Sequence, residues 1–257
     1  MQASIEPSRA PNVQYLLRVA DTALILSQRT SEWSGHAPVL EEDIALSNLA
    51  LDLIGQARAL LSHGGTLHQP PLDEDQLAFL REERDYRNVT LVELPRGDFA
   101  FTVLRNAVMA TFFKHLWTAL LGSSDAEVAG IAAKAVKEAR YHQQHAAGWV
   151  LRLGDGTDES ARRLRAAVDT LWRYTAELFD DDAVDAAAQA SGLGPCWSSL
   201  QAPWRAEMHA LLQQAGLAVP PDSAFRSTGK RGVHSEHMGY LLAEMQQLQR
   251  AYPGGVW

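Results

Sequence analysis

Nine histidines and one cysteine, Cys196, are the side chains in this 257-residue chain with the clearest capacity to ligate a metal or attack a substrate. Glu138, His142 and His145 make the pattern Glu-x-x-x-His-x-x-His. On a helix that spacing turns one carboxylate and two imidazoles toward a common side, a start for a metal face. Such a face needs further carboxylates from facing helices, Asp52 being one candidate. The competing reading has Glu138 pairing with a nearby Lys or Arg while His142 is a hydrogen-bonded interior histidine. A second pattern, His234-x-x-His237, lies at the start of a predicted helix, where the positive end of the helix dipole disfavours imidazolium and no cysteine cluster is near.

Helical bundles that bind two irons use one Glu from each of two helices and a Glu-x-x-His pair from each of two others. None of the nine histidines has a Glu three residues before it. The sequence also lacks a Gly-x-Ser-x-Gly elbow, a P-loop and a Gly-x-Gly-x-x-Gly run, and Cys196, next to Pro195, has no evident base. A single cysteine permits neither an intrachain disulfide nor a four-cysteine zinc site. No metal or catalytic group is expected in this chain.

The elements that would position these residues are helices. Val13 to about Trp33 has Leu16, Leu17, Ala20, Ala23, Leu24 and Ser27 at helical spacing. Leu40 to Leu61 follows, with Glu41, Glu42 and Asp43 in its first turn, and Gly64-Gly65 is expected to stop it. Ile44, Leu46, Leu49, Leu51, Leu53 and Ile54 point all around this second helix, which predicts a central helix surrounded by others. A shorter helix from Asp73 to about Tyr86 comes next, and Leu91 to Arg96 reads as loop or short strand. Asp98 is placed to cap a helix ending at Leu121, and Ser124 with Glu127 matches a capping box opening a helix to Leu153. At about 28 residues the latter would be about 42 Å long. Asp158 to Phe179 and Ser235 to Arg250 are further helices, with one ending near Gly216 between them. The run Asp180-Asp181-Asp182 reads as a solvated face.

Long helices joined by short Gly- or Pro-containing connections predict an all-α antiparallel bundle, one domain spanning 1–257 with residues 1–11 disordered. The 23 basic and 31 acidic residues leave a net charge of −8, which disfavours nucleic acid and anionic membranes as partners. The start, MQASIEPSRAPN, has no apolar targeting core, and no uninterrupted apolar run approaches the ~18 residues of a membrane span. A cytoplasmic setting is the expectation.

Several longer strings add a resemblance. Leu26 to Asp43, Leu51 to Arg58, Lys137 to His142, Leu171 to Asp180 and His234 to Gln246 resemble the C-subunit family of the bacterial multicomponent phenylacetyl-CoA epoxidases, and the likeness runs from about Tyr15 to Trp257. It implies a ferritin-like bundle with additional helices, a structural role in phenylacetate catabolism, and as partners the catalytic A subunit, which would hold the di-iron centre, and other subunits of the complex. It further implies vestigial di-iron positions: Ala23, Leu53 and Gln56, Ala110, Ala139, and the surviving His142. Asp52, Gln56 and His142 would then form a candidate core polar network in which Asp52 needs a donor. Lys230 and Arg231, set between Gly229 and Gly232 before the last helix, become a candidate contact for the phosphates of a CoA thioester, against the commoner reading of a solvated basic loop.

The favoured reading is a non-catalytic subunit, and it predicts a helix face with more exposed apolar and aromatic residues than a lone chain needs. The alternative is a stand-alone ferritin-like oxygenase using Glu138, His142, His145 and Asp52. A homo-oligomeric helical binding protein is the third.

Overall fold

The computed structural model describes residues 3–255, and among them every regular element is helical. The helices are α1 (Pro11–Ser31), α2 (Leu40–Thr66), α3 (Glu74–Phe79), α4 (Phe99–Leu120), α5 (Ala126–Gly154), α6 (Asp158–Leu171), α7 (Ala183–Ser191), α8 (Gln201–Gln214) and α9 (Glu236–Ala251). Short connections make α1 and α2 one antiparallel pair and α4 and α5 another. Each pair packs along its length, while the seam between α2 and α5 is sparser. The segment 67–98 crosses over between the pairs. This is a ferritin-like bundle with five shorter helices added.

The start signals are local chemistry. Pro11 opens α1, where its missing N–H costs nothing. Asp98 accepts from the Phe101 amide at the start of α4. The cap of α5 is Asp125, which accepts from the Glu127 and Val128 amides. Ser124, expected to be the cap, instead donates its hydroxyl to the Ser191 carbonyl and its amide to the Gly192 carbonyl. At 29 residues, α5 is about 43 Å long.

Gly64 and Gly65 do not stop α2; they lie within its last turn. A Cβ on Gly65 would sit 2.0 Å from the Leu72 carbonyl oxygen, so glycine here lets the crossover press onto the helix end. The helix expected over 73–86 ends at Phe79, capped at its start by Asp73 and Gln76, and Leu91–Arg96 contains part of a 3-10 turn and no strand. The helix expected to reach Phe179 changes to 3-10 over Trp172–Phe179.

The enclosed helices are α1 and α4 rather than α2: sixteen of the 21 residues of α1 are buried. Sixteen residues of the 22 in α4 are buried, against eleven of the 27 in α2. The residues that made α2 look enclosed include Ile44, Leu51 and Ile54, which face solvent.

The acidic run is structural. Asp182 caps α7, a helix the sequence reading did not separate, and receives Arg18 together with buried Asp185. Asp21 and Arg81 form a second ion pair with both side chains fully buried. Residues 3–10, expected to be disordered, are tied down: the Ile5 amide donates to the Leu80 carbonyl (2.9 Å) and the Ser8 amide to His68 Nε2 (2.9 Å). Residues 1 and 2 lie outside the described residues.

Candidate functional site

Three polar pairs cross the seam between α2 and α5, in antiparallel order. Glu42 lies 2.9 Å from His145 Nε2, Asp52 lies 3.0 Å from His142 Nε2, and Gln56 Nε2 donates to Glu138 at 2.9 Å. Burial holds the His142 imidazole below its ordinary pKa, against the pull of Asp52. The neutral ring then donates its Nε2–H to the Asp52 carboxylate. The network expected from Asp52, Gln56 and His142 is thus two separate contacts, with Gln56 paired to Glu138 instead.

Ala23, Leu53, Ala110 and Ala139 are all buried, as are Gln56 and His142. Of these six positions only His142 and the amide oxygen of Gln56 could donate to a metal, and Nε2 of His142 is already bonded to Asp52. A di-iron centre needs several carboxylates converging on one point, and this donor set does not fit one. The alternative ligand set is likewise divided: Glu138 with Gln56 and, at 3.5 Å, Lys134; His142 with Asp52; His145 with Glu42. Among the described residues no group of three His, Cys, Asp or Glu is arranged to hold a metal ion.

The His234-x-x-His237 pair is also taken apart. Nδ1 of His234 lies 2.6 Å from Glu93 Oε1 and Nε2 lies 3.2 Å from the Tyr86 carbonyl. Burial opposes charging the ring, but Glu93 outweighs it and raises the pKa above the ordinary value. The dipole argument from the sequence is overridden by this direct carboxylate contact, and His237 stays partly exposed beside Glu236.

The anion contact expected at Lys230 and Arg231 is not built. Lys230 is buried, with Nζ 3.9 Å from Asp185 and 4.6 Å from the Trp197 ring centre. Its own amide donates to Glu177. Arg231 is paired with Asp180 at 2.9 Å and Asp182 at 3.6 Å. The loop faces inward because Gly229 packs against Asn88 and Thr90, where a Cβ would meet the Asn88 carbonyl at 2.5 Å.

The feature that sequence reasoning mis-assigned lies on the outer side of α2. Leu40 (72% exposed), Ile44 (54%), Leu51 (65%) and Ile54 (39%) form one stripe, and Tyr141 (53%) stands out from α5. At 100° per residue the four α2 positions fall within about 80° of arc. Five of the seven tryptophans, Trp33, Trp117, Trp172, Trp197 and Trp204, are buried and do not supply this face. By length and apolar character α2 could also pass for a membrane span, yet Ser27 on α1 donates to its Ala50 carbonyl and His142 and His145 on α5 bond to its carboxylates. Its apolar surplus was readable in the sequence. Which side of the helix the rest of the chain leaves uncovered was not.

Two comparisons bear on what such a bundle is for. The profile of the family described as phenylacetic acid catabolic protein matches residues 1–257. The C subunit of the 1,2-phenylacetyl-CoA epoxidase of Escherichia coli (strain K12) is 49% identical over 243 residues, which cover 95% of this chain and 98% of that protein.

Proposed function

This chain belongs to the phenylacetic acid catabolic protein family, and from that premise we propose that it is a subunit of a phenylacetyl-CoA epoxidase, acting as a non-catalytic scaffold for a related catalytic A subunit. The relative's name calls it one subunit of that enzyme, so partner chains are expected. The observation that carries the reading is the pairing of two features of α2: on its inner side no metal donor set among the described residues, and on its outer side the apolar stripe of Leu40, Ile44, Leu51 and Ile54. Four large apolar side chains aligned on one helix side are a docking surface rather than scattered exposure.

On this reading a helix of the A subunit lies along α2 and covers the stripe, with Tyr141 at its edge. The pairs Glu42–His145, Asp52–His142 and Gln56–Glu138 hold α5 against α2, so the partner meets a surface of fixed shape. The di-iron chemistry belongs to the partner. The contribution of this chain is to stabilise that partner and shape its substrate pocket from outside.

The test combines this chain with a purified A-type subunit and measures iron, association and epoxide formation for each alone and for the mixture. The expected result is a stoichiometric complex on gel filtration, iron carried only by the partner, and full turnover only in the mixture. Stoichiometric iron on this chain alone, or epoxidation by it alone, would favour the oxygenase reading. Self-association without a complex would favour the homo-oligomer.

A further inference from the structure

A cleft of about 220 Å³ opens between the 3-10 segment Trp172–Phe179, α8 and the chain at 222–226. Its floor is the buried aromatic cluster of Trp172, Phe179 and Trp204, and its mouth carries Arg173, Arg205 and Arg226. We propose that this cleft binds a phosphate-bearing ligand through the guanidinium groups of Arg173 and Arg226.

In a chain of net charge −8, three guanidiniums around one opening reverse the prevailing sign. Two carboxylates also line the cleft, and both are engaged. Asp222 accepts from Arg205 at 2.8 Å, and Asp180 accepts from Arg231 at 2.9 Å. Arg173 and Arg226 have no carboxylate partner among the described residues.

Both are held in place by other means. The Arg173 guanidinium lies over the Phe225 ring, 4.4 Å from its centre, and 5.2 Å from that of Tyr174. Stacking uses the face of the group and leaves its N–H edge available. Nη1 of Arg226 donates to the carbonyls of Ser223 (2.6 Å) and Phe225 (2.9 Å), which leaves Nε and Nη2. A guanidinium immobilised before binding loses less side-chain freedom when it meets an anion, and its fork matches two phosphate oxygens. The volume is below the usual range for a whole cofactor, so it suits a phosphate and the first part of its carrier.

Two sources share this chemistry: free phosphate, and the nucleotide end of a coenzyme A thioester. The proposal stands whether or not the chain is an epoxidase subunit. Inorganic phosphate and adenosine 3′,5′-diphosphate are titrated into the full chain at low salt, with calorimetry and the indole signal of Trp172 as readouts. Saturable binding is expected, weakened at least tenfold for both probes by Arg173→Ala with Arg226→Ala. Replacing both by Lys gives an intermediate loss, since charge stays and the fork goes. Tighter binding of the nucleotide identifies a ring-bearing carrier, and equal binding identifies phosphate alone. Absence of saturable binding at millimolar probe overturns the proposal. So does an equal loss in Arg140→Ala, an exposed arginine on α5, because the effect is then general charge.

Discussion

His142 on α5 donates to Asp52 on α2 across 3.0 Å, and this contact marks where the interior ends and the exposed stripe begins. The imidazole is buried while the carboxylate is 39% exposed, so one side of the bond faces the core and the other the surface expected to meet a partner.

The first prediction concerns that bond. Asp52→Ala leaves a buried N–H without its acceptor and costs about 1 kcal/mol, near the low end for such losses because water reaches the site. The pH dependence has a defined sign. The His142 pKa is lower in the folded chain than its ordinary 6.5. Its contribution is therefore present above that value and is lost as pH falls through the lowered folded value. Denaturant unfolding of His142→Leu between pH 7 and 5 is expected to fall less steeply than that of the wild type.

His234 should behave in the opposite way. Glu93 raises its pKa, so its contribution is complete below the ordinary 6.5 and disappears as pH rises through the folded value. His234→Ala leaves buried Glu93 with only Asn88 and the Ser235 amide, and is expected to cost about 3–5 kcal/mol. Thermal or denaturant unfolding at pH 6 checks this, and the difference between variant and wild type should shrink at higher pH.

Ala139→Glu would recreate a Glu-x-x-His pair with His142 on α5. With Ala23, Leu53 and Ala110 unchanged, the new carboxylate enters a buried site without partners, at an expected cost of about 3–5 kcal/mol. Iron analysis of this variant is expected to remain at background. Iron uptake by it would show that the remaining donors are closer to a metal site than their pairing implies.

How much of this was legible in the sequence follows from the range of the interactions. Asp98 could be named as a cap because its partner is the amide of Phe101, three residues on. Ser124 was misread because its hydroxyl is drawn to Ser191, in a connection whose helix, α7, was not recognised. The Asp180–Asp182 run read as solvated because its cations, Arg18 and Arg231, are far away in the chain. The apolar positions around His142 were legible through the missing Glu-x-x-His, and Asp52 was placed beside His142 although 90 residues separate them, whereas the pairing of Gln56 with Glu138 was not foreseen. In α2, apolar periodicity reports that a surface must be covered and cannot tell whether this chain or another covers it.

The docking stripe is the claim on which the account rests, and Leu51→Glu with Ile54→Glu tests it most directly. Both residues touch solvent, so unfolding of the isolated double variant should stay within about 0.5 kcal/mol of wild type for each substitution. Its affinity for the A-type subunit, measured by calorimetry, is predicted to fall at least 100-fold, about 2.7 kcal/mol. A folded double variant that binds the partner as tightly as the wild type would contradict the account.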